Sequence, residues 1–383
     1  MAVRRMGCWI TVVGLVLGLL SPAVMAASPE VAAKSAVLID ATTGTVLHEQ
    51  SAHEPLAPAS VTKVMTMLLI MEAIDSGKLR WEDPVTASET AAAKGGSQIY
   101  LKAGETMSVS DMVKSIAVSS ANDCACAMAE HLAGSEAAFV EQMNQRAAQL
   151  GMEDTHFVNC TGLDDEPEAA SHKTSAADIA IMSRELLTKH PDIKKYTTIW
   201  MDTVRGGTFG LSNTNKLVRF YSGATGLKTG FTSSAGYCLS ASAMRDGMEL
   251  IAVVMGSETS QARFAACKSL LDYGFANFAL VTPEVESGQV SVKLGTQDTV
   301  RAIAAQRPQL LIDKTQQNSV HTTMELKDQI DAPVSQGQRL GTLTVKSGEQ
   351  VLQQIPLVAE TSVPRLSFGQ LYLKILKQLC MAK

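Results

Sequence analysis

The chain has 383 residues, 46% of them hydrophobic and 19% charged, with a formal net charge of −5, enough for a large core spread over about two to three domains. No basic block with interleaved aromatics is present, which argues against a nucleic-acid partner. The seven histidines are scattered without an HxxxH or CxxC pair, which argues against a metal site.

The N-terminus reads as an export signal. "MAVRRMGCW" carries Arg4 and Arg5, and "ITVVGLVLGLLSPAVMA" is an apolar run broken by Pro22 and closed by small residues. Cleavage is expected after Ala26, with Val24 and Ala26 as the small pair. The run is short for a spanning helix, which needs about 20 apolar residues. Cys8 lies too early to be a lipidated cleavage-site cysteine. The working chain is therefore expected outside the cytoplasm, with Cys124, Cys126, Cys160, Cys238, Cys267 and Cys380 remaining. These are expected to be mostly buried free thiols. A chain of this size needs no staples, and Cys124 and Cys126 are too close along a helix to bridge each other.

Next, "AKSAVLIDATTGTVLHEQSAHEPLAP" predicts two short strands joined at "DATTGT", with Gly44 in the turn. "APASVTKVMTMLLIMEAI", from Ala57, predicts an apolar helix whose methionines fill core space. "SVSDMVKSIAVSSANDCACAMAEHLAG" predicts helix from a cap at Ser110 to a stop at Gly134, although "SSAND" is a poor helical sequence. Further helices are expected from about Ser135 to Leu150 and after a cap at Ser175, with Asp178 supporting that helix start. Asp164 and Asp165 read as loop residues. The pattern then shifts to strands in "ATGLKTGFT", "GYCLSASAMRDG" and "MELIAVVMGS", with Asp246-Gly247 as a hairpin turn. "SQARFAACKSLLDYGFANF" returns to helix. The expected fold class is α+β: an antiparallel sheet with helices on both sides, in a domain of about 250 residues.

After Phe278 come short alternating runs with Gly and Asp turns, which predict a small all-β domain to about Pro364. In "PRLSFGQLYLKILKQLCMAK", Phe368, Tyr372, Ile375 and Leu379 share one helical side with Leu371 and Leu376, opposite Gln370, Lys374 and Lys377. That pattern predicts an amphipathic helix lying in a membrane surface. The expected limits are 1–26 for the signal, 30–278 for the α+β domain, 279–363 for the β domain and 364–383 for the helix.

Ser60 and Lys63 stand three residues apart at the start of the apolar helix, a spacing that puts both side chains on one face. N–H groups in a first turn lack intrahelical acceptors and face developing negative charge favourably. A lysine shielded from water loses its proton more easily and then serves as a base. A lone SxxK pair is common by chance. Two further triplets add weight: Ser120-Ala121-Asn122 in the helical region, and Lys228-Thr229-Gly230 in a strand. Gly230 is expected to leave room for a substrate backbone. Together, in this order, the three motifs are those of penicillin-binding proteins and class A β-lactamases.

On these motifs the chain resembles the D-alanyl-D-alanine carboxypeptidases, the low-molecular-mass penicillin-binding proteins, whose domain domain domain order (signal, transpeptidase-like domain, β domain, terminal helix) it also follows. The resemblance extends to "CTGLDDE" from Cys160 and to Arg263 in the helix after the last strand. It implies a serine peptidase that removes the terminal D-alanine from the peptidoglycan stem peptide, is inhibited by β-lactam antibiotics, needs no cofactor, and sits on the outer face of the cytoplasmic membrane. It also implies roles. Ser60 is the nucleophile and Lys63 its base, Ser120 relays a proton, and Asn122 orients the peptide amide and Lys63. Lys228, Thr229 and Arg263 hold the terminal carboxylate, and the N–H groups of Ser60 and Phe231 form the oxyanion hole. Phe231 departs from the family, where a histidine often follows the KTG triplet. A class A β-lactamase would need a glutamate and asparagine in an ExxLN-like loop, and none lies between Asn122 and Lys228. A wall-binding scaffold with a dead site is disfavoured by the intact motifs.

Overall fold

The computed structural model describes residues 29–165 and 167–381. The expected signal, with its cleavage after Ala26, lies outside the described residues. Five strands form one antiparallel sheet: β1 (Ser35–Asp40), β2 (Val46–Gln50), β3 (Ala224–Thr232), β4 (Gly236–Arg245) and β5 (Met248–Ser257), in the order β2-β1-β5-β4-β3. The turn between β1 and β2 is closed by Asp40, whose Oδ1 accepts from the Thr43 N–H and hydroxyl, and Gly44 supplies φ +76°. Asp246 and Gly247 take φ +50° and +78°, the left-handed pair that a tight two-residue hairpin requires.

The central strand β5 is apolar on both faces because both are covered. Ile251, Val253 and Met255 face one layer, Leu250, Ala252 and Val254 the other, as the two-residue period dictates. The first layer is a helical region built on α1 (Lys63–Asp75), with α2 (Val109–Ser119), α3 (Asn122–Ala133), α4 (Glu136–Leu150) and α5 (Ala176–Lys189). The second is α6 (Ser260–Asn277), which packs Leu270 and Leu271 behind the sheet. Residues around the whole circumference of α1 are buried, Met65, Met67 and Met71 among them, so it is a core helix.

Capping follows the sequence with one correction. Ser135, Ser175 and Thr259 each accept an N–H from three residues on, and Gly134 ends α3 at φ +82°. The helix of "SVSDMVK" is capped by Ser108, not Ser110: Ser108 Oγ accepts the Asp111 N–H at 3.1 Å, while Ser110 Oγ meets Tyr196. Both serines precede the apolar run, but only Ser108 has an extended backbone, which aims its oxygen at the free N–H groups. The weak "SSAND" stretch breaks the helix into α2 and α3 at Ser120, which adopts φ +63°.

The rest of the chain is β-structured. A six-stranded sheet includes the long hairpin Arg339–Ser347 with Gln350–Ala359, over a core of Val290, Leu343, Ile355 and Leu357. α7 (Phe368–Met381) follows, with Phe368 87%, Leu373 66% and Leu379 71% exposed. Among the described residues no helix is long and apolar enough to cross a membrane. The six cysteines from Cys124 to Cys380 are free, and all but Cys380 are buried, as expected.

Candidate active site

The site lies where α1 begins, beside the sheet's edge strand β3. Ala59–Thr62 form a 3-10 turn that leads into α1, so Ser60 sits in a tighter turn than the α-helical start that its spacing predicts. The pairing survives: Lys63 Nζ lies 2.9 Å from Ser60 Oγ. Its other contact is the carbonyl of Thr161, at 2.8 Å. Burial lowers the Lys63 amine from an ordinary 10.5 to about 7, against a smaller upward pull from Cys160 and Asp123. A large fraction is therefore neutral near pH 7, with a lone pair at proton-transfer distance from the serine.

The break between α2 and α3 presents the second motif. Ser120 is 3% exposed, and its hydroxyl has no partner. A serine in a left-handed conformation with an unsatisfied buried hydroxyl is the sort of strain that a site retains. Asn122 opens α3: its N–H donates to Ser97 O at 2.7 Å and its Nδ2 to Gly95 O at 2.8 Å, leaving Oδ1 buried and unpartnered. The resemblance implied that Asn122 orients Lys63, but among the described residues no hydrogen bond joins them: Asn122 Oδ1, the atom able to accept from the amine, is unpartnered, and the amine donates to Ser60 Oγ and Thr161 O.

The third motif lies on β3. Lys228 is 1% exposed and its Nζ donates to Thr229 O; burial, then the charges of Lys63 and Arg263, push its amine well below the ordinary value. The Thr229 hydroxyl donates to Thr214 Oγ1 at 2.7 Å. Arg263 reaches from α6 to the paired strands β3 and β4, where its Nη1 donates to Gly230 O at 2.8 Å and Cys238 O at 3.2 Å. Its guanidinium lies between the rings of Tyr237 and Phe264, with Nε unpartnered. Arg263 therefore grips the backbone of β3. Phe231 is 53% exposed and stacks on Tyr237 with centroids 4.3 Å apart. None of Lys63, Lys228 and Arg263 has a carboxylate ion-pair partner among the described residues.

Gly230 is needed for a different reason from the one its sequence suggests. A Cβ there would lie 2.7 Å from Pro58 O and 3.0 Å from Ser60 N, so the turn that carries Ser60 fills the space expected for a substrate backbone. Gly230→Ala is expected to cost about 1–3 kcal/mol through overpacking and to slow acylation by a labelled penicillin. Thermal melts and trapping rates check this; wild-type values for both would show that the turn yields freely.

Sequence reasoning missed the loop at 159–163 as a structural partner. Thr161 acts through its carbonyl, which residue type cannot signal, and Thr66 Oγ1 pins the preceding Cys160 O at 2.6 Å. Asp164 continues that loop, a loop residue as expected, and accepts from the Ser234 hydroxyl at 2.5 Å, joining the loop to the turn after β3. Asp178 lies in the first turn of α5, where its N–H donates to the Ser175 cap, but its carboxylate accepts from Asp154 N and Thr155 Oγ1 and so ties the helix to that turn.

A sequence profile of the family described as "D-alanyl-D-alanine carboxypeptidase" matches residues 23–259, and one described as "Penicillin-binding protein 5, C-terminal domain" matches residues 275–365. The D-alanyl-D-alanine carboxypeptidase DacF of Bacillus subtilis is 44% identical over 343 residues, 88% of this chain and 87% of the relative. Penicillin-binding protein 5 of Haemophilus influenzae superposes with a TM-score of 0.76 at 31% identity, covering 89% of this chain and 100% of the other. Penicillin-binding protein D2 of Listeria monocytogenes, in its ampicillin-bound form, matches with a TM-score of 0.59 at 32% identity, over 65% of this chain and 99% of its own.

Proposed function

The chain belongs to the D-alanyl-D-alanine carboxypeptidase family and is a penicillin-binding peptidase of that kind; on that premise we propose that it cuts the terminal D-alanine from peptidoglycan pentapeptides through an acyl-enzyme on Ser60. The observation that carries this is the 2.9 Å contact between Ser60 Oγ and the Lys63 amine, whose pKa is lowered to about 7.

Ser60 Oγ attacks the carbonyl carbon of the D-Ala–D-Ala bond while its proton passes to neutral Lys63. The N–H groups of Ser60 and Phe231 receive the oxyanion, each worth about 3–4 kcal/mol in the transition state. Ser120, whose hydroxyl has no other partner among the described residues, relays the proton from Lys63 to the departing D-alanine nitrogen, which leaves Lys63 neutral again. Asn122 Oδ1 accepts from the peptide amide. Lys228 and Thr229 receive the terminal carboxylate, and Arg263 adds charge while it holds β3 in place. Water then cleaves the ester, with Lys63 again taking the proton. The same path opens a β-lactam ring, which supports β-lactams as inhibitors, in keeping with the ampicillin-bound form of the Listeria relative.

The test is mass spectrometry after incubation with a labelled penicillin. An adduct on the peptide containing Ser60 supports the mechanism, and one elsewhere overturns it. Slow release of the adduct separates a carboxypeptidase from a β-lactamase, which would turn the drug over rapidly.

We also propose that residues 1–26 direct export, that 30–278 form the catalytic domain and 279–363 the β domain, and that 364–383 attach the enzyme peripherally to the outer face of the cytoplasmic membrane. Support for attachment comes from Phe368, Tyr372, Leu373, Ile375 and Leu379, all large apolar residues left exposed on α7. Removing everything beyond Pro364 is expected to move the enzyme into the soluble fraction with activity on a small peptide intact. Truncated protein that still pellets with membranes would refute the anchor.

A further inference from the structure

His172 lies outside the three motifs and 112 positions from Ser60, yet it is joined to the nucleophile's turn. It is 3% exposed, packed edge-on against Phe157. Val158 N–H donates to its Nδ1 at 3.1 Å. Its Nε2 lies 2.8 Å from Thr62 Oγ1, and Thr62 Oγ1 lies 2.8 Å from the carbonyl of Ala59.

Proton counting fixes the direction of this chain. A carbonyl only accepts, so the single hydroxyl proton of Thr62 goes to Ala59 O. Thr62 must then accept from His172, which places the imidazole proton on Nε2. That leaves Nδ1 as the acceptor that Val158 N–H requires. All three bonds are satisfied only by the neutral Nε2–H tautomer, and burial agrees by lowering the imidazole from an ordinary 6.5 to about 4.

The carbonyl at the end of the chain belongs to the peptide group that carries the Ser60 N–H. Peptide planarity couples the two: fixing the direction of Ala59 O fixes the opposite direction of Ser60 N–H. This plane needs fixing. Ala59 adopts φ +49°, an unfavourable conformation for alanine, and does not hold itself there. On the carbonyl side, Gly162 approaches so closely that a Cβ would lie 1.8 Å from Ala59 O. On the other side, Gly230 lies against Ser60 N.

We propose that His172 is a positioning residue for the oxyanion hole, acting through Thr62 and the Ala59 carbonyl to aim the Ser60 N–H. This rests on the assignment of Ser60 as nucleophile and oxyanion donor. An N–H aimed where charge develops matters more in the transition state than in the ground state. Loss of the chain is therefore felt in acylation rather than in substrate affinity.

Three variants test this. Thr62→Val keeps the volume and removes the hydroxyl. His172→Asn keeps an acceptor for Val158 but cannot reach Thr62, whereas His172→Gln places an amide N–H where Nε2 stood. Acylation by labelled penicillin is expected to slow by about 10-fold or more in Thr62→Val and His172→Asn, with KM for a small peptide changed less than about threefold, and to recover in His172→Gln to within about threefold of wild type. Wild-type acylation by folded Thr62→Val overturns the proposal, and so does equal loss in the Asn and Gln variants. If His172→Asn does not fold, Thr62→Val decides alone. A wild-type adduct away from Ser60 defeats the underlying mechanism; an adduct on Ser60 with unslowed variants defeats only the role of His172.

Discussion

Ser60→Ala is expected to abolish D-alanine release, by a factor of at least about 10⁴. The proposed chemistry needs an oxygen next to a neutral amine, and among the described residues Ser60 with Lys63 is the serine–lysine side-chain pair. Ser120 cannot substitute: its hydroxyl is buried without any hydrogen-bond partner. The half-buried Ser60 hydroxyl contributes only its bond with Lys63, so the variant should fold and melt close to wild type. Release of D-alanine from a pentapeptide, followed by chromatography, is the measurement. Persistent release at more than about a hundredth of the wild-type rate would end the acyl-enzyme mechanism.

Lys63→Met should reduce acylation by about 10³, within the usual range for loss of a positioned base. In the wild type, acylation should rise with pH through about 7, because the neutral amine accepts the proton and burial lowers its pKa to that value. The same shift carries a stability consequence of definite sign. An unfolded lysine titrates near 10.5 and the folded one near 7, so the folded state binds fewer protons between those values. Stability is lost as pH falls from about 10.5 to about 7 and is not regained below. Each unit corresponds to about 1.4 kcal/mol, giving a gross cost of a few kcal/mol. The difference in melting temperature between Lys63→Met and wild type should therefore shift in favour of wild type between pH 6 and pH 10. A difference constant across that range would show that the buried amine is not strained.

Much of the fold was legible because local signals agreed with it. Strict alternation, the Asp-Gly turn and the Ser175 and Gly134 boundaries are short-range features, and each lies where its chemistry placed it. The three motifs were legible as residue types at set spacings. The supporting chemistry was not. Thr161 contributes a carbonyl, and His172 acts through two intermediaries. The role of Gly230 depends on a turn about 170 positions away in sequence. The commitment of Arg263 to the Gly230 and Cys238 carbonyls was equally invisible, since any arginine in that helix reads alike.

Among the described residues Lys63, Lys228 and Arg263 have no ion-pair partner, although burial and mutual repulsion weigh on Lys228 beside the other two. On the proposed mechanism the terminal carboxylate of a pentapeptide supplies that partner, and it leaves again with D-alanine once the first bond is cut. On the proposed mechanism, deacylation of a peptide then proceeds without that anion beside the buried amines. A β-lactam keeps its carboxylate tethered to the acyl group after the ring opens. On the proposed mechanism a β-lactam acyl-enzyme therefore keeps an anion beside the buried amines where a peptide acyl-enzyme does not, and the drug adduct is expected to be released more slowly.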